Sequence, residues 1–405
     1  MEFGIFVNGY IPGPAAHDSQ CEHDELVEQA KYVVFADKHN WKYAWFGEHH
    51  GLTEYSHMSA PEVVMGWVAA QTDYIHLASG ITSLPTAKEH PARIAERAAM
   101  LDHITNRRFE FGTGRGAGSH ELKTFNVMDP SVTKAMWDEV IREIPRMWEQ
   151  KDYDFHGQHF TVPTPHNILP KPYGQGHPPI WVACGNPETF KKAGEHGIGA
   201  IAFNFEPIYN LQGRIDAYKE AVQAPINQIG QFRNDNIMMT NTVVCLSNRE
   251  HAREVAKRRG FGYLVTMVNM YHDTMQAPPD AIIWPNPPAP PEFQMDDDML
   301  DMLIGAGLLM CGTPEDVSEQ LTQYSKVGCD QLVFGLPIEQ MHPEEVYEML
   351  EVFGDKVIPE HDLDRTHSTD RYRATAKPRF PMFQYPVPEF NIPVLPPNAR
   401  VPIPA

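Results

Sequence analysis

The regular alternation of strand-like and helix-like segments constrains the fold of this 405-residue chain more than any other feature of its sequence. Short apolar runs typical of strands alternate with longer segments in which apolar residues recur at helical spacing. The predicted strands cover residues 2–7, 43–46, 76–78, 108–111, 179–183, 200–203, 238–246 and 331–334. Predicted helices between and after them include residues 22–39, 61–71, 91–103, 135–150 and 346–353.

Eight such strand–helix units favour an α/β fold of the (β/α)8 barrel type, also called a TIM barrel, with insertion loops. The strand predicted at 179–183 is apolar on both faces, as a strand inside a fully covered parallel sheet requires. A doubly wound open sheet is the alternative, because a sequence does not show whether a sheet closes on itself. We expect one barrel domain over residues 1–357.

Two proline-rich segments interrupt this alternation. Residues 278–291 contain seven prolines, too many for a helix or a central strand, and predict an insertion of about residues 272–296 at the barrel mouth. Residues 358–405 form a C-terminal arm with nine prolines from Pro378 onward, interleaved with apolar side chains. We expect an extended arm that packs on the barrel or on a second subunit.

The charge balance excludes a nucleic-acid partner. The chain has 53 acidic and 33 basic residues, a net charge of −20, whereas binding to a phosphate backbone needs clustered Lys and Arg. Residues 361–405 carry a net charge of +2, so residues 1–360 carry −22. This complementarity favours a docked arm, which high salt should loosen.

The cysteines and the apolar runs indicate a cytoplasmic protein. The five cysteines are odd in number and widely spaced, a pattern of neither a disulfide framework nor a zinc site. The sequence contains neither an apolar run of about 20 residues nor a signal-peptide pattern. We therefore expect no membrane partner.

Candidate chemical groups follow the predicted strands, where a parallel barrel carries its functional side chains. Glu48, His49 and His50 come after the second strand. Neighbouring residues of an extended chain point to opposite sides, so these three do not predict a shared metal site, and we expect no metal. A histidine there could serve as a general acid or base.

Two later turns suit an anion. The glycine-rich turn 112–118 leaves open backbone around Arg115, which could bind a phosphate or carboxylate or pair with a neighbouring acid. Gly185 and Asn186 precede a helix whose first amides could bind a phosphate, although an ordinary capped helix explains the same residues. The glycine-rich turn lacks the following strand and acid of a dinucleotide-binding motif.

Several ordered blocks of sequence resemble the bacterial luciferase-like flavin monooxygenases. They are residues 45–50, 80–85, 108–116, 183–186 and 311–315. The resemblance implies a (β/α)8 barrel, often dimeric, that takes reduced FMN from a separate flavin reductase. It further implies reaction of that flavin with O2 to a C4a-hydroperoxyflavin, which transfers one oxygen atom to a small organic substrate.

The resemblance also implies roles for single residues. His49 matches the active-site histidine, a catalytic acid or base. Cofactor-binding roles fall on Arg115, Lys134, Gly185 and Asn186 at the flavin phosphate, and on Gly80 and Ile81 at a non-prolyl cis peptide beside the flavin. The reactive cysteine position of luciferase is Gly114 here, and an acid and a hydroxyl of its phosphate loop are Cys184 and Gly185, so light emission is not expected.

Two alternatives to the FMN-dependent monooxygenase remain. The first is hydride transfer with the deazaflavin F420 in the same barrel; we favour FMN because no extra Lys/Arg cluster is available for the anionic tail of F420. The second is a non-catalytic flavin-binding subunit, which the retention of His49 and Arg115 disfavours. Phe6, Asn8, Tyr10 and Trp45, with the 278–291 loop, are candidate walls of an apolar substrate pocket.

Overall fold

A computed structural model describes residues 1–11, 15–52, 55–116, 118–203, 206–258, 295–336 and 341–377 of the chain. The predicted insertion at 278–291 and the arm beyond residue 377 lie outside the described residues, and the expectations for them stay predictions. None of the helices in the described part is long and apolar enough to cross a membrane.

The strands and helices of the described part follow the predicted alternation. The strands are β1 (Glu2–Val7), β2 (Tyr43–Phe46), β3 (His76–Ser79), β4 (Thr82–Ser83), β5 (Phe109–Gly114), β6 (Tyr153–His156), β7 (Thr161–His166), β8 (Ile180–Cys184), β9 (Gly199–Ala202), β10 (Ile237–Asn241), β11 (Val243–Cys245), β12 (Met310–Gly312) and β13 (Gln331–Leu336). The α-helices are α1 (Ser19–Ala36), α2 (Pro61–Ala69), α3 (Pro91–Ile104), α4 (Ser119–Thr124), α5 (Thr133–Glu149), α6 (Pro187–Glu195), α7 (Gln212–Gln223), α8 (Arg249–Arg258), α9 (Asp297–Gly305), α10 (Pro314–Val327), α11 (Pro343–Val352), α12 (Ile358–His361) and α13 (Ser368–Ala374).

Eight of these strands close into a parallel barrel. Their order around the barrel is β1, β2, β3, β5, β8, β9, β10 and β13, and β13 pairs again with β1. The predicted (β/α)8 barrel is therefore confirmed, and the open-sheet alternative is wrong. Each of the eight predicted strands supplies one barrel strand.

The predicted strand 238–246 divides in two. β10 belongs to the barrel, whereas β11 pairs with β12 in a separate two-stranded sheet. The break lies at Asn241, whose side-chain Oδ1 accepts a hydrogen bond from the Thr242 N–H at 2.6 Å and whose Nδ2 donates to the Gly307 carbonyl at 3.3 Å. An apolar run alone does not reveal this break, because it depends on side-chain bonds to a distant loop.

Prolines at first-turn positions and capping residues start many of the outer helices. Proline follows the N-cap residue in α3, α6, α10 and α11, where its fixed φ suits the first turn and its missing N–H costs nothing. The side chain of the N-cap residue accepts a backbone N–H in α3 and α6. In α10 and α11 the N-cap backbone N–H donates to the carboxylate of the third helical residue, Asp316 or Glu345, at 2.9 Å. The chain thus turns from strand to helix at short distance from each carboxyl end.

Aromatic side chains fill the middle of the barrel. Phe6, Tyr43, Trp45 and Trp181 pack together with Met238, and the Trp45 and Trp181 rings meet edge to face at 5.2 Å. Nearer the carboxyl ends the inward positions are small and half-buried: Ala183, Thr240 and Gly335. The barrel interior is therefore filled by aromatic side chains in the middle and is open at the carboxyl ends of its strands.

The first part of the predicted arm docks under the amino-terminal end of its own barrel. Arg373 of α13 is fully buried and donates two hydrogen bonds to Asp102, at 2.7 and 2.8 Å. Lys42 donates to Glu2 at 2.9 Å and pairs with Asp362 at 2.8 Å. Residues 358–361 and 368–374 are helical, whereas the sequence predicted an extended arm. Both helices lie before the run of nine prolines that begins at Pro378. The division at residue 357 stays a prediction.

Candidate functional site

The residues selected from the sequence lie on one arc of the barrel mouth. Strands β2, β3, β5 and β8 are consecutive neighbours in the barrel. His49 follows β2, the Gly80–Ile81 bond follows β3, Arg115 follows β5, and Gly185 with Asn186 follows β8. Lys134 is the second residue of α5, which runs between β5 and β8.

The Gly80–Ile81 peptide bond is cis, as the resemblance implies. The Ile81 side chain lies over Gly114 of the neighbouring strand: a Cβ at residue 114 would stand 2.5 Å from the Ile81 Cδ1 atom. The lack of a side chain at Gly114 therefore leaves room for the Ile81 side chain. A cysteine at residue 114 would clash with Ile81 in this position and would force its side chain to move.

His49 stands at the rim of the mouth with one ring nitrogen unbonded. Its Nδ1 atom is buried and has no hydrogen-bond partner among the described residues, although Glu121 Oε2 lies 3.5 Å away. The ring packs edge to face on Tyr55 at 4.8 Å, and the side chain is 16% exposed. A buried, unpaired polar atom beside an opening is typical of a group that completes its bonding with a ligand.

Glu121 of α4 lies between His49 and His50 and approaches both residues. Its Oε1 accepts the backbone N–H of His50 at 2.8 Å, while its Oε2 faces the His49 ring. The His50 ring bonds Glu48 Oε1 at 3.1 Å, and burial lowers the pKa of His50 below its ordinary value. Lys88 contacts the same Glu48 carboxylate. His50 is therefore a neutral histidine bonded within the protein, whereas the His49 Nδ1 atom forms no hydrogen bond with the described residues.

Arg115 extends into solvent from the turn after β5. Its Nη1 donates to the Pro130 carbonyl at 3.4 Å and to the Thr133 hydroxyl at 3.3 Å. Within the described part of the chain no carboxylate lies within salt-bridge distance of Arg115, so the pairing with a neighbouring acid is not what the structure shows. The guanidinium keeps its charge without a partner of opposite sign.

Lys134 lies beside Arg115 at the start of α5. Its Nζ approaches Glu188 Oε2 at 3.7 Å, and both side chains are largely exposed, 55% and 79%. Glu188 lies in the first turn of α6, two residues after Asn186. This long, exposed ion pair is weak, but it shows that the start of α5 and the loop after β8 are neighbours.

The loop after β8 is open at Gly185 and capped at Asn186. A Cβ at residue 185 would meet no atom within 4 Å. Asn186 forms a capping box with Thr189: its Oδ1 accepts the Thr189 N–H at 3.1 Å, and its own N–H donates to the Thr189 hydroxyl at 3.2 Å. The Cys184 thiol is buried, and burial raises its pKa to about 12. The capped-helix explanation of Asn186 is therefore correct, and the space for a ligand is at Gly185.

At the carboxyl ends of the strands, apolar side chains pack on the barrel core. Phe6 of β1 and Phe203 after β9 meet edge to face at 5.9 Å, and Ile81 packs against the same cluster. Of the candidate walls, Phe6, Asn8 and Tyr10 are buried, and Trp45 is fully buried in the barrel core. The structure thus assigns Trp45 to packing and leaves the half-buried Phe203 and Ile81, in contact with Phe6, at the mouth.

Sequence reasoning missed three residues of this arc: Glu121, Thr133 and Glu188. Each lies on a helix that follows a site turn, and each contacts a site residue at least 18 positions away in the sequence. The only signal in the sequence was the position of these residues in first turns near the predicted site. Such positions are too common to select a residue without the fold.

A phosphate-bearing cofactor fits this arc. Arg115 and Lys134 supply two exposed cations near the start of α5, and the backbone at Gly185 is unobstructed. Guanidinium and ammonium groups with free backbone amides are the donors that bind phosphates in proteins. Among the described residues, the acidic group within salt-bridge distance of these cations is the exposed carboxylate of Glu188, with which a ligand would compete for Lys134.

Comparisons with known proteins identify the family of the chain. Residues 1–331 match the family of luciferase-like monooxygenases. The chain is 25% identical over 383 residues to the oxygenase component of flavin-dependent trigonelline monooxygenase from Acinetobacter baylyi, covering 91% of this chain and 99% of that protein.

Solved structures share the fold. The chain is similar to the monooxygenase RslO1 from Streptomyces bottropensis, with a TM-score of 0.73 at 20% identity, over 89% of this chain and 100% of that one. It is also similar to the oxygenating constituent of 3,6-diketocamphane monooxygenase from Pseudomonas putida, solved in complex with FMN. The TM-score there is 0.70 at 19% identity, over 89% of this chain and 98% of that one.

Proposed function

This chain belongs to the luciferase-like monooxygenase family, and on that premise we propose that it is an FMN-dependent monooxygenase that oxygenates a small apolar organic molecule. In this proposal a separate flavin reductase supplies the reduced FMN. Bound reduced FMN supplies the activation of O2 that no side chain can provide. The residues of the chain bind the flavin, orient it, exclude water and move a proton.

The observation that carries the proposal is the convergence of two exposed cations on an open loop at the barrel mouth. Arg115 bonds only neutral acceptors, and its neighbour Lys134 reaches the first turn of α6. A Cβ at Gly185 would meet no atom within 4 Å, so the loop before α6 leaves room for a ligand there. A dianionic phosphate would replace weak contacts with charge-assisted hydrogen bonds, each stronger than a neutral one.

His49 is the proposed acid or base. Its unpaired Nδ1 faces Glu121, so a proton taken up by the ring would be stabilised by a carboxylate 3.5 Å away. The edge-to-face contact with Tyr55 holds the ring plane. Glu121 thus acts as a positioning residue, because it holds both the His50 backbone and the charged form of His49.

The substrate proposal rests on the apolar cluster at the mouth. Phe6, Phe203 and Ile81 offer aromatic and aliphatic surface, and none of the three carries a hydrogen-bonding side chain. In this proposal the exposed cations bind the phosphate and the apolar cluster excludes water from the reacting part of the site. Water exclusion is what an oxygen-transfer reaction needs to avoid loss of its reactive species to hydrolysis.

We further propose that the protein is a cytoplasmic homodimer. Helices α2 and α3 present four exposed apolar side chains, Val63, Trp67, Met100 and Ile104. The two helices touch, since a Cβ at Gly66 would stand 3.7 Å from Ile104 Cδ1. An apolar patch on adjacent helices is typical of a surface covered by a second subunit. All five cysteines are free, as a reducing compartment requires.

Anaerobic binding and oxygen uptake test the enzyme proposal. The protein is titrated with FMNH2 and, separately, with F420H2, and oxygen uptake is then followed with candidate apolar substrates. We expect FMNH2 to bind and to support substrate-dependent oxygenation. Tight binding of F420H2 with no binding of FMNH2 would contradict the proposal in favour of the hydride-transfer alternative.

The His49→Ala variant separates binding from chemistry. We expect it to retain FMNH2 affinity and to lose oxygenation by about 10²–10⁴-fold, the contribution typical of a positioned acid or base. His120→Ala is the matched control, because His120 lies one residue before Glu121 on α4 and, among the described residues, its ring bonds the Gly51 carbonyl at 3.0 Å. Equal oxygenation rates in the His49 and His120 variants would remove His49 from the proposed mechanism.

A further inference from the structure

Lys88 is a largely buried cation near the mouth that the proposed chemistry does not use. It lies in the turn between β4 and α3, and its side chain is 11% exposed. Its Nζ contacts Oε1 of Glu48, whose side chain is 4% exposed. Lys88, His50 and Glu121 also line one small cavity beside the glycine-rich turn. Lys88 therefore lies among the groups that surround His49.

One oxygen atom of Glu48 joins Lys88 to His50. Glu48 Oε1 contacts Lys88 Nζ and lies 3.1 Å from His50 Nε2. Because an ionised carboxylate only accepts hydrogen bonds, the Nε2 atom carries a proton in this contact. The His50 ring is also held by an edge-to-face contact with Phe125 at 4.9 Å. The ring is thus fixed by its own bond to a carboxylate whose charge Lys88 balances.

The ion pairs of the neighbouring helices leave this balance to Lys88. Arg97 of α3 pairs with Glu62 of α2 at 3.2 Å and with Glu89 at 2.7 Å. Among the described residues, the Lys or Arg side chain in contact with the shared carboxylate is therefore Lys88. Burial, followed by the charge of Arg97, lowers the pKa of Lys88 to about 8, so the amine is still protonated at pH 7.

The charge of His50 affects how the Glu121 carboxylate is used. Glu121 Oε1 accepts the His50 backbone N–H at 2.8 Å, and its Oε2 lies 3.5 Å from His49 Nδ1. Burial lowers the pKa of His50, and the charges of Glu121 and Glu62 oppose this shift while that of Arg97 adds to it. A protonated His50 ring would therefore attract the carboxylate that faces His49.

From these contacts we propose that Lys88 is a positioning residue for His49. By balancing the charge of Glu48, Lys88 keeps the His50 ring neutral and leaves the Glu121 carboxylate to the His49 ring. Without Lys88 the buried Glu48 carboxylate would lack a counter-charge, and the His50 ring that already bonds it is placed to take up the compensating proton. The inference rests on the proposed role of His49 as acid or base.

Histidine NMR of the full-length protein without flavin tests the inference apart from any catalytic step. The His50 signal is the one absent from the spectrum of His50→Gln. We expect His50 to titrate below the ordinary histidine pKa in the wild type and above it in Lys88→Met, because Glu48 then lacks its cation. Lys88→Arg keeps the charge and should keep the wild-type titration.

Two further variants separate charge from packing. Glu48→Gln in the Lys88→Met background removes the uncompensated carboxylate and should return the His50 titration to its wild-type position. Lys123→Met is the control for loss of a positive charge nearby, because Lys123 is exposed on the helix that carries Glu121. Lys88→Gln replaces Lys88→Met in every measurement if circular dichroism shows that the latter is unfolded.

Oxygenation is the second readout. Lys88→Met should lower its rate by about tenfold at unchanged FMNH2 affinity, a fraction of the effect of losing the acid or base itself, and Lys88→Arg should restore the rate. An unchanged His50 titration in Lys88→Met, or a wild-type oxygenation rate in that variant, would overturn the inference. Absence of oxygenation by the wild type would instead contradict the proposed function, while the titration would still show whether Lys88 sets the charge of His50.

Discussion

The arginine side chains at the two ends of the barrel differ in their partners and in their exposure to solvent. At the amino-terminal end, Arg373 and Asp102 are both fully buried and joined by two short hydrogen bonds. At the carboxyl end, Arg115 bonds neutral oxygens, and Lys134 meets Glu188 only at 3.7 Å in solvent. The Arg373–Asp102 pair is therefore closed to solvent, whereas Arg115 and Lys134 remain accessible to a ligand.

This contrast separates stability from ligand binding. A buried charge that loses its partner costs several kcal/mol, so the Asp102–Arg373 pair is not available to a ligand without a large loss of stability. An exposed cation loses little when it changes partner, so the carboxyl end can exchange water and weak contacts for a phosphate. Substitutions at the two ends should therefore affect different measurements.

The largest expected effect is on stability, at the buried pair. Asp102→Ala leaves the Arg373 guanidinium buried without its carboxylate and should lower the free energy of unfolding by about 3–5 kcal/mol. Asp364→Ala is the matched control, since Asp364 pairs with the exposed Arg371 of the same segment and its removal should have a much smaller effect on stability. Chemical denaturation measures the free energy of unfolding of both variants. Equal losses would contradict the conclusion that burial makes the Asp102–Arg373 pair more important for stability.

The next effect is on flavin binding, at the exposed cation. Arg115→Gln should weaken FMN binding by about 1.5–3 kcal/mol, the range for a hydrogen bond to a charged group. Its unfolding free energy should stay close to that of the wild type, because the side chain is exposed. Arg93→Gln, at a surface ion pair with Glu96 on α3, is the control in an anaerobic titration. Unchanged affinity in the Arg115 variant would exclude it from the phosphate site.

A smaller effect distinguishes two glycines of the mouth. Gly185→Ala meets no atom within 4 Å and should leave stability unchanged or raise it by up to about 1 kcal/mol, yet weaken FMN binding by filling the cradle. Gly114→Ala should destabilise the protein, because its Cβ would lie 2.5 Å from Ile81 Cδ1. Thermal unfolding and flavin titration of both variants test this. FMN affinity of the wild-type level in Gly185→Ala would place the phosphate elsewhere.

The smallest effect is that of salt. At about 1 M salt the screening length falls to about 3 Å, which should weaken FMN binding at the exposed cations. The docking of residues 362–377 should not change, because its central ion pair is buried. The sequence alone favoured an arm that salt loosens, and that expectation now applies only beyond residue 377. Trypsin cleavage at Arg373 at low and high salt measures the difference, and faster cleavage at high salt would contradict it.

Much of the fold was predictable because it depends on local periodicity. Short apolar runs and helical spacing located all eight barrel strands, with errors of a few residues at their ends. The error at 238–246 arose where the Asn241 side chain bonds a loop far along the chain. Closure of the sheet was left open by the sequence, since it depends on β13 pairing with β1.

The mouth was predictable in part, for a topological reason. Strand ends of a parallel barrel meet on one face, so turns that follow the strands, such as those of His49, Arg115 and Gly185, share that face wherever they lie in the sequence. Their contacts were not predictable: Glu121 beside His49 and Thr133 beside Arg115 come from other helices. The assigned roles of these residues stay proposals until the variants are measured.

By itself the sequence determined the order of strands and helices, the family and the positions of the candidate site residues, because each depends on neighbours along the chain. Only the tertiary structure decided that Asp102 meets Arg373 across 271 residues, and that His76 stacks on His367. Such pairs have no signature in sequence spacing. They follow from how the C-terminal segment packs beneath the barrel, where buried charges must find partners.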